Sequence, residues 1–212
     1  MIISFLNQKG GVGKTTLAIN VAGYLASKGL KILVIDADEQ RSSLNWARMR
    51  EIDPIFTTVG MPEPILHKDG VTLAKEYDHV IIDGPPRVYA VARSAIVASD
   101  LVVIPVQPSP YDVWAAEEII NLIKEVAVPL SEIKKIKPAF LINRKIHGTA
   151  IGRDVQDALA QYSIPCLKTA IHQRVVYADT AAEGKTVLEQ DTNKQAKEEM
   201  MSLGEEILNF ER

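Results

Sequence analysis

The sequence predicts a doubly wound α/β fold: a mostly parallel β-sheet with helices on both faces. Three observations predict it. Short runs rich in Ile and Val recur along the 212 residues and are apolar at consecutive positions, the pattern of strands covered on both faces. Stretches with helical spacing separate these runs. The first run leads through glycines into a helix, and two later runs end in aspartate. In an open parallel sheet the carboxyl ends of the strands line the ligand crevice.

The elements follow in order. Residues 2–6 form the first strand; the stretch is short, lacks a basic lead-in and runs into glycines, so it is not read as a signal peptide. Residues 15–27 place Leu17, Val21, Ala22 and Leu25 at helical spacing, and Gly29 sits where a helix stops. Residues 32–35, 80–82, 101–106 and 139–142 supply further strands, and residues 112–127 and 194–210 have helical spacing. Residues 53–70, rich in Pro and Gly, are expected to be irregular surface. The length and an ordinary composition, 47% hydrophobic and 24% charged, suit one domain over residues 1–212. No run approaches the ~18 apolar residues of a membrane span. The single cysteine, Cys166, excludes an intrachain disulfide and is expected to be a small buried residue in a reducing cytoplasm.

Lys9-Gly10-Gly11-Val12-Gly13-Lys14-Thr15-Thr16 joins the first strand to the first helix. Glycines let the backbone curl so that successive N–H groups point inward at phosphate oxygens. The helix N-terminus adds the positive end of its dipole. Gly10, Gly11, Val12, Gly13, Lys14, Thr15 and Thr16 are therefore the candidate nucleotide-binding residues. Lys14 is expected to reach the β- and γ-phosphates and the Thr15 hydroxyl to bind Mg²⁺. The usual phosphate-loop pattern has Gly five residues before Gly13; here Gln8 holds that position, and an additional lysine, Lys9, follows it.

Phosphoryl transfer also needs a metal holder and a group that orients water. Two strand ends supply carboxylates, Asp36 and Asp38 after the second strand and Asp83 after a later one, and all three are expected to face the phosphate loop. Guanine-reading relatives of this fold carry Asn/Thr-Lys-x-Asp after a strand. Here the fitting strand ends in Asn143-Arg144-Lys145-Ile146 and lacks that aspartate, which favours ATP, with Asn143 as the candidate contact to adenine.

These residues carry a family resemblance. The segment from Lys9 to Thr16 resembles the deviant Walker A box of the ParA/MinD superfamily of ATPases, and the chain is most similar to its small ParA type. The resemblance covers nearly the whole chain and implies a P-loop NTPase fold. It implies that Lys9 crosses a dimer interface to the phosphates of the partner's nucleotide, so that Lys9, Lys14 and Asp38 are the candidate catalytic residues. It implies that Asp36 and Asp38 form the switch I box, with Asp38 positioning the attacking water. Asp83 matches the Walker B aspartate, which supports Mg²⁺ through a coordinated water, so Thr15, Asp36 and Asp83 are the candidate metal set. Where the family commonly has Pro-Gln after the second aspartate, this chain has Glu39-Gln40, and Glu39 is read as a solvated residue. Residues 105–112 resemble the family's loop near the nucleotide and the dimer seam; Asp112 is read as the N-cap of the next helix.

Charge is uneven. Between Lys134 and Lys185 nine basic residues (Arg153 among them) face four acidic ones (Asp154 among them), in a chain of net charge −3. Such a basic surface suits a phosphate backbone. The segment 171–186 resembles the ParA region that supplies non-specific DNA contacts, which nominates Arg174 first, then Lys185 and Lys145. The implied partners are a second copy of the chain with ATP, non-specific DNA, and a ParB-like or cargo-adaptor protein that stimulates a weak intrinsic ATPase. The implied role is to position plasmid DNA or protein cargo on the nucleoid. The C-terminal segment is acid-rich, unlike the basic membrane helix of MinD-like relatives, and its apolar residues are expected to pack on the domain. The nitrogenase iron protein needs paired cysteines and is excluded. Two other readings remain at this stage: an amidoligase or synthetase of the cobyrinate or dethiobiotin type, and a MinD-like membrane-surface ATPase.

Overall fold

The computed structural model describes residues 1–147 and 151–210, with the side chains of 151–154 left out; Arg153 and Asp154 of the basic segment thus lie outside the described side chains. In chain order the elements are β1 (Ile2–Phe5), α1 (Lys14–Ser27), β2 (Ile32–Asp36), α2 (Ser42–Met49), β3 (Thr57–Gly60), a π-turn at Leu66–Gly70 leading into α3 (Val71–Ala74), β4 (His79–Asp83), α4 (Tyr89–Ala98), β5 (Leu101–Val106), α5 (Pro110–Leu130), β6 (Lys137–Ile142), α6 (Ile151–Ala160), α7 (Val176–Ala182), a 3₁₀ turn at Val187–Glu189 and α8 (Lys194–Asn209).

The six strands form one parallel sheet in the order β3-β2-β4-β1-β5-β6. Consecutive residues of each central strand point to opposite faces, and both faces are covered. Ile3, Phe5, Val34, Ile81, Val103 and Leu141 pack with α1 and α8. Leu6, Leu33, Ile35, Ile82, Ile104 and Ile142 pack with α4 and α5. This is why the strands read as unbroken apolar runs. Helix α8 spends Ala196, Met200, Leu203 and Ile207 on that packing, as expected for the C-terminal segment.

Two expectations need correction. Residues 53–70 are not irregular surface throughout. Thr57–Gly60 pairs in register with Leu33–Asp36 as the sheet's edge strand, and Leu66 is fully buried. The edge strand has a partner on one side only, and its exposed and half-exposed residues carry no apolar run. Cys166 is half-buried instead of buried: its backbone is bridged to Phe140 and it packs against the margin of the core.

The topology makes the site. From β1 the chain turns through α1 to β2 on one side, and from β4 it crosses to β5 on the other. The carboxyl end of β1 is therefore a topological switch point, where loops diverge and leave a crevice. Register brings Phe5 level with Asp83, and Asp83 level with Asp36. Gly84 sets how closely these ends approach. Its N–H donates to the Phe5 carbonyl at 3.2 Å, and a Cβ there would lie 3.0 Å from that oxygen and collide with the Leu6 side chain. Gly84→Ala is expected to lose about 1–3 kcal/mol through overpacking, read as a lower urea midpoint at unchanged slope. A wild-type midpoint would refute this account of the strand-end spacing.

Candidate functional site

The loop between β1 and α1 needs two left-handed residues, Gly11 at φ 75° and Gly13 at φ 94°, and both are glycines as sterics require. A Cβ on Gly13 would also strike the Asn143 amide. Three carboxamides brace the loop. Asn7 Nδ2 donates to the Pro105 carbonyl at 2.8 Å while its Oδ1 accepts from the Lys9 N–H at 2.9 Å. Gln107 Nε2 donates to the Gly11 carbonyl at 3.1 Å, and Asn143 Nδ2 to the Val12 carbonyl at 2.7 Å. They stand just after β1, β5 and β6, so three parallel strands hold one loop. Lys14 Nζ donates to the carbonyls of Asn7 and Lys9 at 3.1 and 3.2 Å. Burial lowers its pKa, and Asp83 and Asp38 oppose that shift.

The three aspartates gather as expected but differ in their engagements. Asp83 is buried; Ser43 Oγ donates to its Oδ2 at 2.8 Å, and the Thr15 hydroxyl is a further hydrogen-bonding neighbour. Its Oδ1 is buried without a partner among the described residues. Burial pushes the Asp83 carboxyl up to about 7 against the Ser43 and Thr15 hydrogen bonds, with Asp36 adding to the rise and Lys14 opposing it. Asp36 is raised too, first by burial. Its Oδ1 accepts from the Asp38 N–H at 3.2 Å and its Oδ2 from the Leu44 N–H at 2.9 Å, so Asp36 folds the turn that enters α2. Asp38 is half-buried and accepts from the Gln40 N–H at 3.0 Å, while Glu39 is exposed.

This donor set fits Mg²⁺. A hydroxyl and an orphaned carboxylate oxygen are adjacent, both hard oxygens and few in number, as suits an ion that takes its remaining ligands from phosphates and water. No three His, Cys, Asp or Glu side chains converge on a metal position among the described residues.

Lys9 lies at the edge of this cluster. Its ammonium pairs with Asp112 Oδ2 at 2.7 Å, with the lysine side chain 38% exposed and the aspartate 3%. Asp112 is not the N-cap of α5; Ser109 holds that position, and Asp112 lies in the first turn. The correction has a physical reason: a cap must precede the first helical residue, and Pro110, with φ fixed by its ring, already occupies it. Asp112 Oδ1 is buried without a partner among the described residues. Tyr111 and Trp114 beside it are 72% and 63% exposed and meet edge to face at 5.4 Å.

A cavity of about 330 Å³ opens from Gly13 and Thr16 toward Asn143, Gln173, Arg174 and Tyr177. The three nominated basic residues do not form one free patch. Arg174 donates through Nη1 to Gln195 at 2.9 Å and through Nη2 to Glu199 at 2.6 Å. Burial alone would raise the Glu199 pKa, but Arg174 and His172 hold it low. Lys185 pairs with Glu183 at 2.7 Å. Lys145 is half-buried, and its backbone is bridged to His172. Sequence reasoning missed Asn7 and Ser43, and took Gln107 and Tyr177 only as members of the segments 105–112 and 171–186. Asn7 and Gln107 follow apolar strands directly, the position from which Asn143 was found.

Residues 3–187 match the family model described as the CobQ/CobB/MinD/ParA nucleotide binding domain. The chain is 29% identical over 195 residues to maintenance of carboxysome distribution protein A of Halothiobacillus neapolitanus, covering 88% of this chain and 86% of that protein. It is 28% identical to the chromosome-partitioning ATPase Soj of Thermus thermophilus, covering 97% and 94%. The fold is similar to the apo structure of McdA from Cyanothece, with TM-score 0.81, 16% identity, and coverage of 97% of this chain and 98% of that one. The chain belongs to the CobQ/CobB/MinD/ParA nucleotide-binding family and has its parallel α/β P-loop fold.

Proposed function

We propose that this chain is an ATPase that ATP closes into a homodimer, that the dimer binds DNA without sequence preference, and that a ParB-like or cargo-adaptor protein stimulates hydrolysis. The cycle positions plasmid DNA or a protein cargo on the nucleoid. The observation that carries this reading is Lys9. It is a second cation on the phosphate loop, its ammonium held at the rim by Asp112 and part-exposed while Lys14 spans the loop. A cation so placed is suited to a phosphate chain presented from outside the subunit. The carboxysome-distribution and chromosome-partitioning names of two relatives support a positioning role.

The residues divide the work. The N–H groups of Gly10–Thr16 hold the phosphates, and Lys14 turns from the Asn7 and Lys9 carbonyls to the β- and γ-phosphates. Thr15 and Asp83 would hold Mg²⁺, which would neutralise phosphate charge when bound; Asp36 shapes the turn that carries Asp38. Asp38 accepts a hydrogen bond from water, whose oxygen attacks the γ-phosphorus as the bond to the bridging β–γ oxygen breaks, giving ADP and phosphate. Lys9 of the partner subunit offsets charge developing on that oxygen, as an arginine finger does. Asn143 spends one Nδ2 hydrogen on the Val12 carbonyl, which leaves its amide oxygen and its second N–H to meet a base. The amide oxygen can accept from the 6-amino group of adenine.

For DNA, the existing ion pairs rank the candidates. The Lys185–Glu183 pair has both side chains more than a third exposed, and such pairs are worth at most about 1 kcal/mol, so phosphate readily displaces the carboxylate. The Arg174–Glu199 pair has side chains 20% and 15% exposed and resists exchange. Lys185 therefore precedes Arg174, and Lys145 stands with them as the third candidate. The apolar face of α8 is already buried, which weighs against membrane attachment, and no described helix is long and apolar enough to cross a membrane.

Binding to a non-specific duplex with ATP, with ADP and without nucleotide tests the reading. Only the ATP form is expected to bind, with log affinity falling linearly in log salt. Lys9→Ala is expected to abolish binding while ADP affinity persists, and Lys145→Ala to reduce the salt slope by about 1 per protomer. Equal binding in every nucleotide state, or none in any, would sink the positioning cycle. Asp112→Asn frees Lys9 from its carboxylate and is expected to tighten the ATP-dependent dimer about 5- to 30-fold, measured by sedimentation equilibrium. An unchanged or weaker dimer would show that Lys9 is not held back by this pair.

A further inference from the structure

Arg174 and Tyr177 both line the 330 Å³ cavity, and one polar atom of each, Arg174 Nε and the Tyr177 hydroxyl, is buried without a hydrogen-bond partner among the described residues. Leaving such a group unpaired costs about 1–3 kcal/mol, and phenylalanine would fill the same volume without that cost. Burial raises the Tyr177 pKa, so the hydroxyl remains a neutral donor. The Arg174 guanidinium cannot turn to relieve Nε, because Gln195 and Glu199 fix its other two nitrogens.

Position identifies what the two donors face. Tyr177 and Thr16 line both this cavity and a neighbouring one of about 410 Å³ that reaches Thr15 and Ser42. Tyr177 thus stands where the phosphate loop ends and the pocket toward Asn143 begins. A nucleoside running from the loop to Asn143 presents sugar hydroxyls and unsubstituted ring nitrogens along this wall, groups able to accept a hydrogen bond.

We propose that Tyr177 and Arg174 form a nucleoside-reading wall, in which the Tyr177 hydroxyl and Arg174 Nε donate to the sugar and base of the bound nucleotide. This rests on the nucleotide reading of the phosphate loop and adds two specificity residues to it. It also gives Arg174 a role inside the pocket instead of on a DNA-facing surface.

The test is titration calorimetry of the full chain with Mg·ADP and with inorganic tripolyphosphate, together with thermal melting in the absence of either. Tyr177→Phe is expected to weaken ADP about 5- to 30-fold, to leave tripolyphosphate unchanged, and to melt at the wild-type temperature or above, since an orphaned hydroxyl has been removed. Arg174→Lys, which keeps a cation for Glu199 but lacks Nε, is expected to weaken ADP selectively as well. Wild-type ADP affinity in Tyr177→Phe, an equal loss for tripolyphosphate, or a lowered melting temperature would each overturn the assignment; the last would mean that the hydroxyl serves the fold itself. If the wild type binds neither probe, the nucleotide reading fails and this inference falls with it. If the wild type binds both and the variants match it, only this inference fails.

Discussion

The grip of three strand ends on one loop is the constraint from which the rest of the site follows. A loop with two left-handed glycines has no conformation of its own to keep, and each ordered residue costs ~1–2 kcal/mol of backbone entropy. Asn7, Gln107 and Asn143 offset that cost with hydrogen bonds to the loop backbone or to the strand beside it. They can do so only because β1 lies inside the sheet with β5 and then β6 beyond it. Had β5 and β6 lain beyond β3 instead of beside β1, the loop would lack the Gln107 and Asn143 supports. Sheet order, fixed by hydrophobic burial on two faces, thereby determines the geometry of a polar site.

Electrostatics at that site is a contest between burial and mutual attraction. Lys14 is pushed toward neutrality by burial, and Asp83 likewise. Each opposes the other's shift, so neither is positioned independently. Lys9, one loop turn away and part-exposed, is held by Asp112 outside this contest. The two lysines of one loop thus have different environments: one answers to Asp83 at the end of β4 and Asp38 just beyond β2, the other to the first turn of α5.

Much of this was legible in the sequence. The central strands announce themselves because burial on both faces demands unbroken Ile and Val. The loop does so because its backbone conformation demands glycine at fixed places, and Asp36, Asp38 and Asp83 follow from the rule that ligands gather at strand ends. The rest was not legible, for particular reasons. Strand β3 reads Thr57-Thr58-Val59-Gly60, too polar for the two-face pattern because it has one neighbour. Asp112 looks like a local cap because capping is a short-range signal, whereas its partner Lys9 is 103 residues earlier. Arg174 reads as a surface cation until Glu199 is seen beside it, and no periodicity links a loop to the middle of α8. Sequence conveys what each residue needs; it conveys poorly which distant residue supplies it.

Polar groups at the two ends of the sheet are used differently. At the amino end, Asp100 accepts from the Ile2 N–H and holds Lys134, and Asp78 accepts from the Lys31 N–H. At the carboxyl end, Gln8, Asp83 Oδ1, Asp112 Oδ1, Arg174 Nε and Tyr177 Oη are buried without partners among the described residues. Buried groups of this kind make the carboxyl rim locally frustrated. Whatever docks at the frustrated rim completes the fold there as well as occupying a site. Its binding energy is then partly folding energy, and the loops around that rim tighten or loosen together as it comes and goes.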